Sequence, residues 1–321
     1  MSKKIDFHLK ILYQLLLNAR IKNKEISKLV YKSPQLVSYW VEKLEKENII
    51  QAYKIQIDPA KFGLIDIQVF MIFTTSDKKR QNEIITYLKD SDHVTFIENI
   101  THGADLLIEY TVPNLSFFNK LHSRFLDLFS GSIKVIDLFP VIVKHYLSKK
   151  YINKNAKPEN SSIVSGDRKP VSLSGNEKKV LSVLFKDPKA SIINIAQKTK
   201  LDTRTVLKIK KSLEKEKIIR KYTITLNYEK LNIFGCILLV NFDYTTPSEV
   251  NKVIEFLSTI PEVTTVTKVI GRYQLMVRIE SLSDYMAIIY KIRNESKFFD
   301  FQIYRIGNIE KNTYIPGSVL D

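Results

Sequence analysis

The chain has 321 residues, 44% hydrophobic and 26% charged; this composition excludes a disordered chain and is long enough for two or more domains. Fifty Lys and Arg against 34 Asp and Glu give a net charge of +16, which favours a polyanionic partner, nucleic acid before an anionic membrane surface. One cysteine, Cys236, excludes an internal disulfide and a multi-cysteine metal site, and no apolar run approaches the roughly 18 residues that span a bilayer.

In chain order, Ile11, Leu12, Leu15 and Leu16 stand at helical spacing and predict a first helix. A second follows over NKEISKLV, with Asn23 as the expected N-cap and Ile26 and Leu29 inward. After a turn at Tyr31-Lys32, Ser33 caps a third helix with Pro34 at its first position, where a missing N–H costs nothing. Val37, Trp40, Val41 and Leu44 form its inner face, and Tyr53, Ile55 and Ile57 alternate as a strand. This is the winged helix-turn-helix pattern. Strands over 67–73, 94–100, 105–111 and 134–143, with helices between them around Ile84 and over 115–128, give β-α-β-β-α-β, the ferredoxin-like order. The apolar sheet face holding Phe70, Ile72 and Ile108 needs a cover, for which a second sheet is expected.

The whole pattern recurs 169 residues later. KLEKENIIQAYKIQI at 43–57 lies over SLEKEKIIRKYTITL at 212–226, and upstream Ile11, Leu12, Leu15 and Leu16 fall on Val180, Leu181, Leu184 and Phe185. In the copy, Asp202 replaces Ser33 as cap, and Thr246-Pro247-Ser248-Glu249 is a capping box. The predicted fold class is α+β: two tandem modules, each a winged helix-turn-helix (1–66 and 173–235) followed by a ferredoxin-like domain (67–147 and 236–321). Residues 148–172 are polar and basic and read as a flexible linker. The charge follows this division: the segments 1–66, 67–143, 144–166, 167–235 and 236–321 carry +5, −2, +4, +10 and −1. The positive charge sits in the winged helices and linker, as expected if those parts touch phosphates.

A recognition helix reads the major groove through its outward side chains. Those expected here are Ser33, Gln35, Ser38, Tyr39 and Lys43 in the first copy, and Arg204, Thr205, Lys208 and Lys211 in the second. The partner expected is double-stranded DNA.

A winged helix-turn-helix joined by a strand to a β-α-β-β-α-β domain resembles the Lrp/AsnC (feast/famine) transcription regulators. Residues 5–64 carry the likeness, most strongly Asp6, Ile11, Leu12, Asn18, Ala19, Arg20, the Ser33-Pro34 cap, Val41, Leu44-Glu45 and Ile49-Ile50. The family's glycine turn, which lines its small-molecule cleft, is matched by Gly103-Ala104-Asp105-Leu106 and Gly271-Arg272-Tyr273-Gln274-Leu275. The resemblance implies a cytoplasmic DNA-binding regulator, self-association through the ferredoxin-like domains in cis or as a homo-oligomer, and an amino-acid-like effector near Gly103, Asp105, Gly271 and Tyr273. Departures are plain: two modules instead of one, a turn one residue short in the first copy, and Gln274 in place of the acid in the second. No cofactor, metal or membrane association is expected.

Two alternatives share the architecture. Sirohaem decarboxylases resemble Lrp/AsnC proteins and need His and Arg side chains converging on the sheet cleft; His102 and Arg272 are the candidates. A scaffold whose winged helices bind protein is the other. No GxGxxG, GxxxxGK[ST] or GxSxG is present, and the expectation is a non-enzyme.

Overall fold

The computed structural model describes residues 3–153, 162–242, 246–296 and 300–321. The middle of the predicted linker, 154–161, and the side chain of Asp6 lie outside the described residues.

The first module runs α1 (Lys3–Leu17), α2 (Asn23–Val30), α3 (Pro34–Lys46), β1 (Ile50–Ile57), β2 (Ile65–Phe73), α4 (Lys78–Asp90), β3 (Val94–His102), β4 (Leu106–Val112), α5 (Leu115–Leu128) and β5 (Ile133–Tyr146). A short strand β6 (Ser162–Val164) leads to the second: α6 (Gly175–Lys186), α7 (Ile192–Thr199), α8 (Thr203–Lys215), β7 (Ile219–Leu226), β8 (Phe234–Asn241), α9 (Pro247–Thr259), β9 (Val263–Val269), β10 (Leu275–Ser281), α10 (Met286–Ser296) and β11 (Asp300–Asn312). The repeat extends to the backbone. Tyr31, Asn48 and Gly63 adopt left-handed conformations, and so do Lys200, Lys217 and Asn232, each 169 positions on.

The two ferredoxin-like sheets join edge to edge. The strand order β2-β4-β3-β11-β8-β10-β9-β5, with β5 also pairing β2, closes an eight-stranded barrel, onto which β6 adds. Its seams, β3 with β11 and β5 with β9, are both antiparallel and both cross between modules. The expected pairing of ferredoxin-like domains is thus made within one chain. The winged helices pair too, through an antiparallel ribbon of β1 and β7.

Four cores follow from alternation along the strands. Ile67, Val69, Met71 and Ile108 pack on α4 and α5, and the equivalent face of the second sheet packs on α9 and α10. Phe70, Leu107, Ile237, Leu239 and Tyr304 fill the space between the sheets. Phe70 therefore faces the second sheet as expected, whereas Ile108 turns to the helices, because its neighbours Leu107 and Glu109 take the inward positions. The helices of both winged domains share one further core with the ribbon.

Three local expectations are corrected. Asn23 is the first residue inside α2; the cap position belongs to Lys22, whose side chain makes no capping bond. Leu29 is exposed, since Ile26, Ser27 and Val30 already fill the inner face of that short helix. The described parts of 148–172 are docked, not a free tether. Tyr151, Ile152 and Val164 are buried, β6 pairs β5, and Ser165 donates its backbone N–H to Asp58 and its hydroxyl to Asp66. Asp58, fully buried, also receives Arg168 and Arg220, so one carboxylate ties linker, ribbon and barrel.

Candidate functional site

Two features combine chemistry with placement: the outward faces of α3 and α8, and a cavity where the ribbon meets the barrel.

The Ser33 hydroxyl accepts the Leu36 N–H at 3.2 Å, and the Asp202 carboxylate accepts the Thr205 N–H at 2.9 Å. These bonds fix where each helix begins, and Tyr31 and Lys200, both left-handed, make the turns before them. Beyond the caps, Gln35 and Tyr39 are exposed and Ser38 half-buried on α3; Arg204, Lys208 and Lys211 are all exposed on α8. Three expected contact residues have other duties. Ser33 is used by its cap, the Thr205 hydroxyl donates to Asp202, and Lys43 lies over the Trp40 ring at 4.6 Å with Glu47 3.7 Å away.

The cavity has a volume of about 170 Å³ and is lined by β1 and β7 on one side and the barrel mouth on the other. Its polar wall is a buried ionic network that sequence reasoning missed. Lys144 donates to Asp66 at 2.9 Å and to Glu109 at 2.5 Å, and Gln68 donates to Glu109 at 2.7 Å. Arg278 holds Glu98 with two bonds, at 2.7 and 2.5 Å, and donates to Glu280 at 2.8 Å. Glu280 also receives Lys149 and the hydroxyls of Tyr151 and Tyr228. Burial alone would raise the Glu280 carboxyl, but Lys149 and Arg278 outweigh it and hold it far below the usual carboxylate range. Burial would lower the Lys144 ammonium; the facing Asp66 and Glu109 reverse that and hold it above the ordinary lysine value. For Glu109 burial wins, and its carboxyl is raised. The one available signal was the repeat: Glu109 falls on Arg278, two opposite charges at the same inward position of apolar strands.

The glycine turns lie apart from this cavity. A Cβ on Gly103 would sit 2.8 Å from the Tyr304 ring, and one on Gly271 would sit 3.1 Å from Phe139. Each turn is therefore packed against an aromatic ring of the other module. The Asp105 carboxylate accepts the Phe73 N–H at 2.7 Å, and Tyr273 is buried in the core between the sheets. The four expected effector residues thus sit at two separate turns and line neither side of the cavity. His102 is exposed at the end of β3, and Arg272 pairs with Asp300 at 3.0 Å on the surface. Neither reaches the cavity. Cys236 is buried, and burial pushes its thiol up to about 12, which leaves it an inert packing group. Among the described residues no cluster of three or more His, Cys, Asp or Glu could hold a metal, and no helix is long and apolar enough to cross a membrane.

The winged helix-turn-helix DNA-binding family matches residues 6–51 and again 173–220. The HTH-type transcriptional regulator LrpB of Bacillus subtilis (strain 168) is 27% identical over 142 residues, 44% of this chain and 91% of that protein. Among solved structures, the siroheme decarboxylase NirDL is similar over nearly the whole length: 97% of this chain and 94% of that one, at 14% identity and a TM-score of 0.58. The same enzyme in complex with an iron-uroporphyrin III analogue gives 0.59 over 96% and 93%, also at 14% identity. At that identity the likeness is one of fold. The repeat, the paired winged helices and these matches together show a chain that carries the winged helix-turn-helix DNA-binding domain twice in tandem and is similar in sequence to the Lrp-type regulator LrpB.

Proposed function

We propose that the chain is a cytoplasmic, sequence-specific transcription regulator that reads DNA through α3 and α8. The observation that carries this reading is the pairing of two capped recognition helices by the β1–β7 ribbon, with Arg204, Lys208 and Lys211 exposed on one of them. Helix N-termini and outward polar side chains meet base edges, and the basic surroundings of the second copy neutralise phosphates. In this reading Gln35, Ser38 and Tyr39 supply neutral, base-edge contacts, while the second helix supplies most of the affinity. Ser33, Lys43 and Thr205 act through helix position, since their polar atoms are already engaged. Genome-wide mapping of DNA bound by the full chain tests the reading. Discrete sites sharing a motif are expected; retention of no DNA even at low salt would refute it.

A second reading, decarboxylation of a tetrapyrrole carboxylate, draws on the whole-length fold likeness to NirDL. It is the weaker one here. Lys144, Lys149 and Arg278, the buried cations of the cavity, already pair with the chain's own carboxylates, and His102 and Arg272 stand outside it. An absorbance titration with an iron porphyrin bearing carboxylates discriminates: tight, stoichiometric binding would revive this reading.

A further inference from the structure

The first-module side of the cavity holds two buried carbonyl oxygens that meet no donor among the described residues. Asp66 and Glu109 share the Lys144 ammonium, and Asp66, behind the wall, also accepts the hydroxyls of Thr111 and Ser165. Gln68 donates its amide N–H to Glu109, and its carbonyl oxygen meets no donor among the described residues. The carbonyl oxygen of Gln56, on the ribbon, is in the same position. Both side chains line the cavity, and their residues are only 9% and 3% exposed. Buried acceptors without donors are costly and uncommon in folded proteins. The second-module side is balanced, because Glu98 and Glu280 face Arg278 and Lys149. Lys221, half-buried on β7, completes the charged lining.

From these two unmet carbonyl oxygens, lining the same cavity as Glu109, we infer that the cavity binds one small primary amine, whose ammonium is received by Glu109 and the carbonyl oxygens of Gln56 and Gln68. A primary ammonium brings three donors and no acceptor, which is the set these groups lack. A cavity near 150 Å³ holds a benzene-sized molecule, so about six to ten non-hydrogen atoms fit the 170 Å³ here. Leu16, Leu107, Ile237 and Met276 on the same walls suit an alkyl chain. A carboxylate on the ligand is disfavoured, since Lys144, Lys149 and Arg278 already pair with the chain's own acids. The site is single. At an offset of 169, Gln56, Asp66, Gln68 and Glu109 correspond to Thr225, Gly235, Ile237 and Arg278, so the second module cannot reproduce it. Gln56 belongs to the ribbon that carries both winged helices and Gln68 to the barrel, so the amine ties one to the other. Its use as a regulatory signal rests on the DNA-binding reading; its binding does not.

Calorimetric titration of the full chain with pentylamine, pentan-1-ol and pentanoate tests the site. Saturable pentylamine binding at one per chain is expected, with the alcohol and the acid at least tenfold weaker. Gln56→Met and Gln68→Met should each weaken pentylamine at least tenfold. Gln56→Met should leave the melting temperature unchanged or higher, because it removes an unmet carbonyl without emptying its space, whereas Gln68→Met also loses the bond to Glu109 and should lower it. No saturable amine binding, equal binding of the alcohol, preference for the acid, or amine binding indifferent to both substitutions would each overturn the inference. DNA retention is measured in parallel with and without pentylamine. Loss of DNA binding in both conditions counts against the regulator reading alone, and absence of amine binding on a chain that retains DNA counts against the site alone.

Discussion

Lys54 of β1 pairs across the ribbon with Thr223 of β7, and the two are the same position of the repeat, 169 residues apart. Around them Tyr53 faces Ile224 and Ile55 faces Tyr222, so the register maps onto itself when the modules exchange. A pseudo-two-fold axis therefore passes through this pair and relates α3 to α8. The two helices it relates are not alike: Gln35, Ser38 and Tyr39 stand on one, Arg204, Lys208 and Lys211 on the other.

On the function proposed above, the two helices should contribute unequally to DNA binding. Replacing Arg204, Lys208 and Lys211 by Ala should weaken binding strongly and lower the salt slope by about 1 per lost phosphate contact. Replacing Gln35, Ser38 and Tyr39 should change sequence preference and leave the slope nearly unchanged. Titrations of both triple variants against one operator and random DNA, at two salt concentrations, check this. Unchanged affinity and slope in the Arg204 set would refute the asymmetry.

The grip of Arg278 on Glu98 crosses between modules in a buried setting. Glu98→Gln should destabilise the chain by up to about 3 kcal/mol, because it leaves the buried Arg278 guanidinium with Glu280 as its one carboxylate. Replacing both partners together, Glu98→Leu with Arg278→Met, should cost much less than the sum of the single changes. Denaturant unfolding of the full chain measures all three; additive costs would show that the pair is not coupled.

Gly103 has a φ of +89°, and the Tyr304 ring occupies the space beside it. Gly103→Ala should therefore cost about 1–3 kcal/mol from backbone strain, with the steric conflict added. Combining it with Tyr304→Leu should recover the steric part only. A double-mutant cycle in thermal unfolding resolves the two, and zero coupling would contradict the packing described.

His122 is buried, stacks on Phe118 with ring centroids 5.0 Å apart, and its pKa is lowered by burial. A histidine depressed in the folded state contributes stability that is present above its unfolded pKa of about 6.5 and is lost as pH falls below it. Stability should thus decline between pH 7.5 and pH 5, and His122→Phe should flatten part of that decline. An unchanged slope in the variant would assign the decline to other groups.

What could be read from the sequence was what is locally encoded. Leu115–Leu128 is a helix as its apolar spacing indicates, and the Thr246–Glu249 capping box forms with Pro247 at the first position. The winged helices were legible because their caps and inner faces are short-range patterns, repeated twice. The cavity was not. A lone Glu109 or Arg278 in an alternating strand looks like a solvent-facing residue, and only closure of the barrel turns that face inward. The docking of the linker was missed for a similar reason: Tyr151-Ile152 and Ile163-Val164 are too short to show periodicity, and their burial depends on partners over a hundred residues away, such as Glu280 and Asp58. The glycine turns were found, but not the aromatic rings packed against them, which belong to strands of the other module.

The seams of the barrel join strands of a single chain, and on the function proposed above that changes how occupancy of DNA depends on dosage. A regulator assembled from two separate subunits loses its reading pair on dilution, so its occupancy falls with the square of concentration at low abundance. Here dilution cannot separate the halves, and occupancy should track the number of chains linearly. The same covalent connection frees each reader to drift on its own, since a substitution in α3 is not copied into α8. A half-site change then requires one mutation in one reader, and the pair can follow an operator with two dissimilar halves.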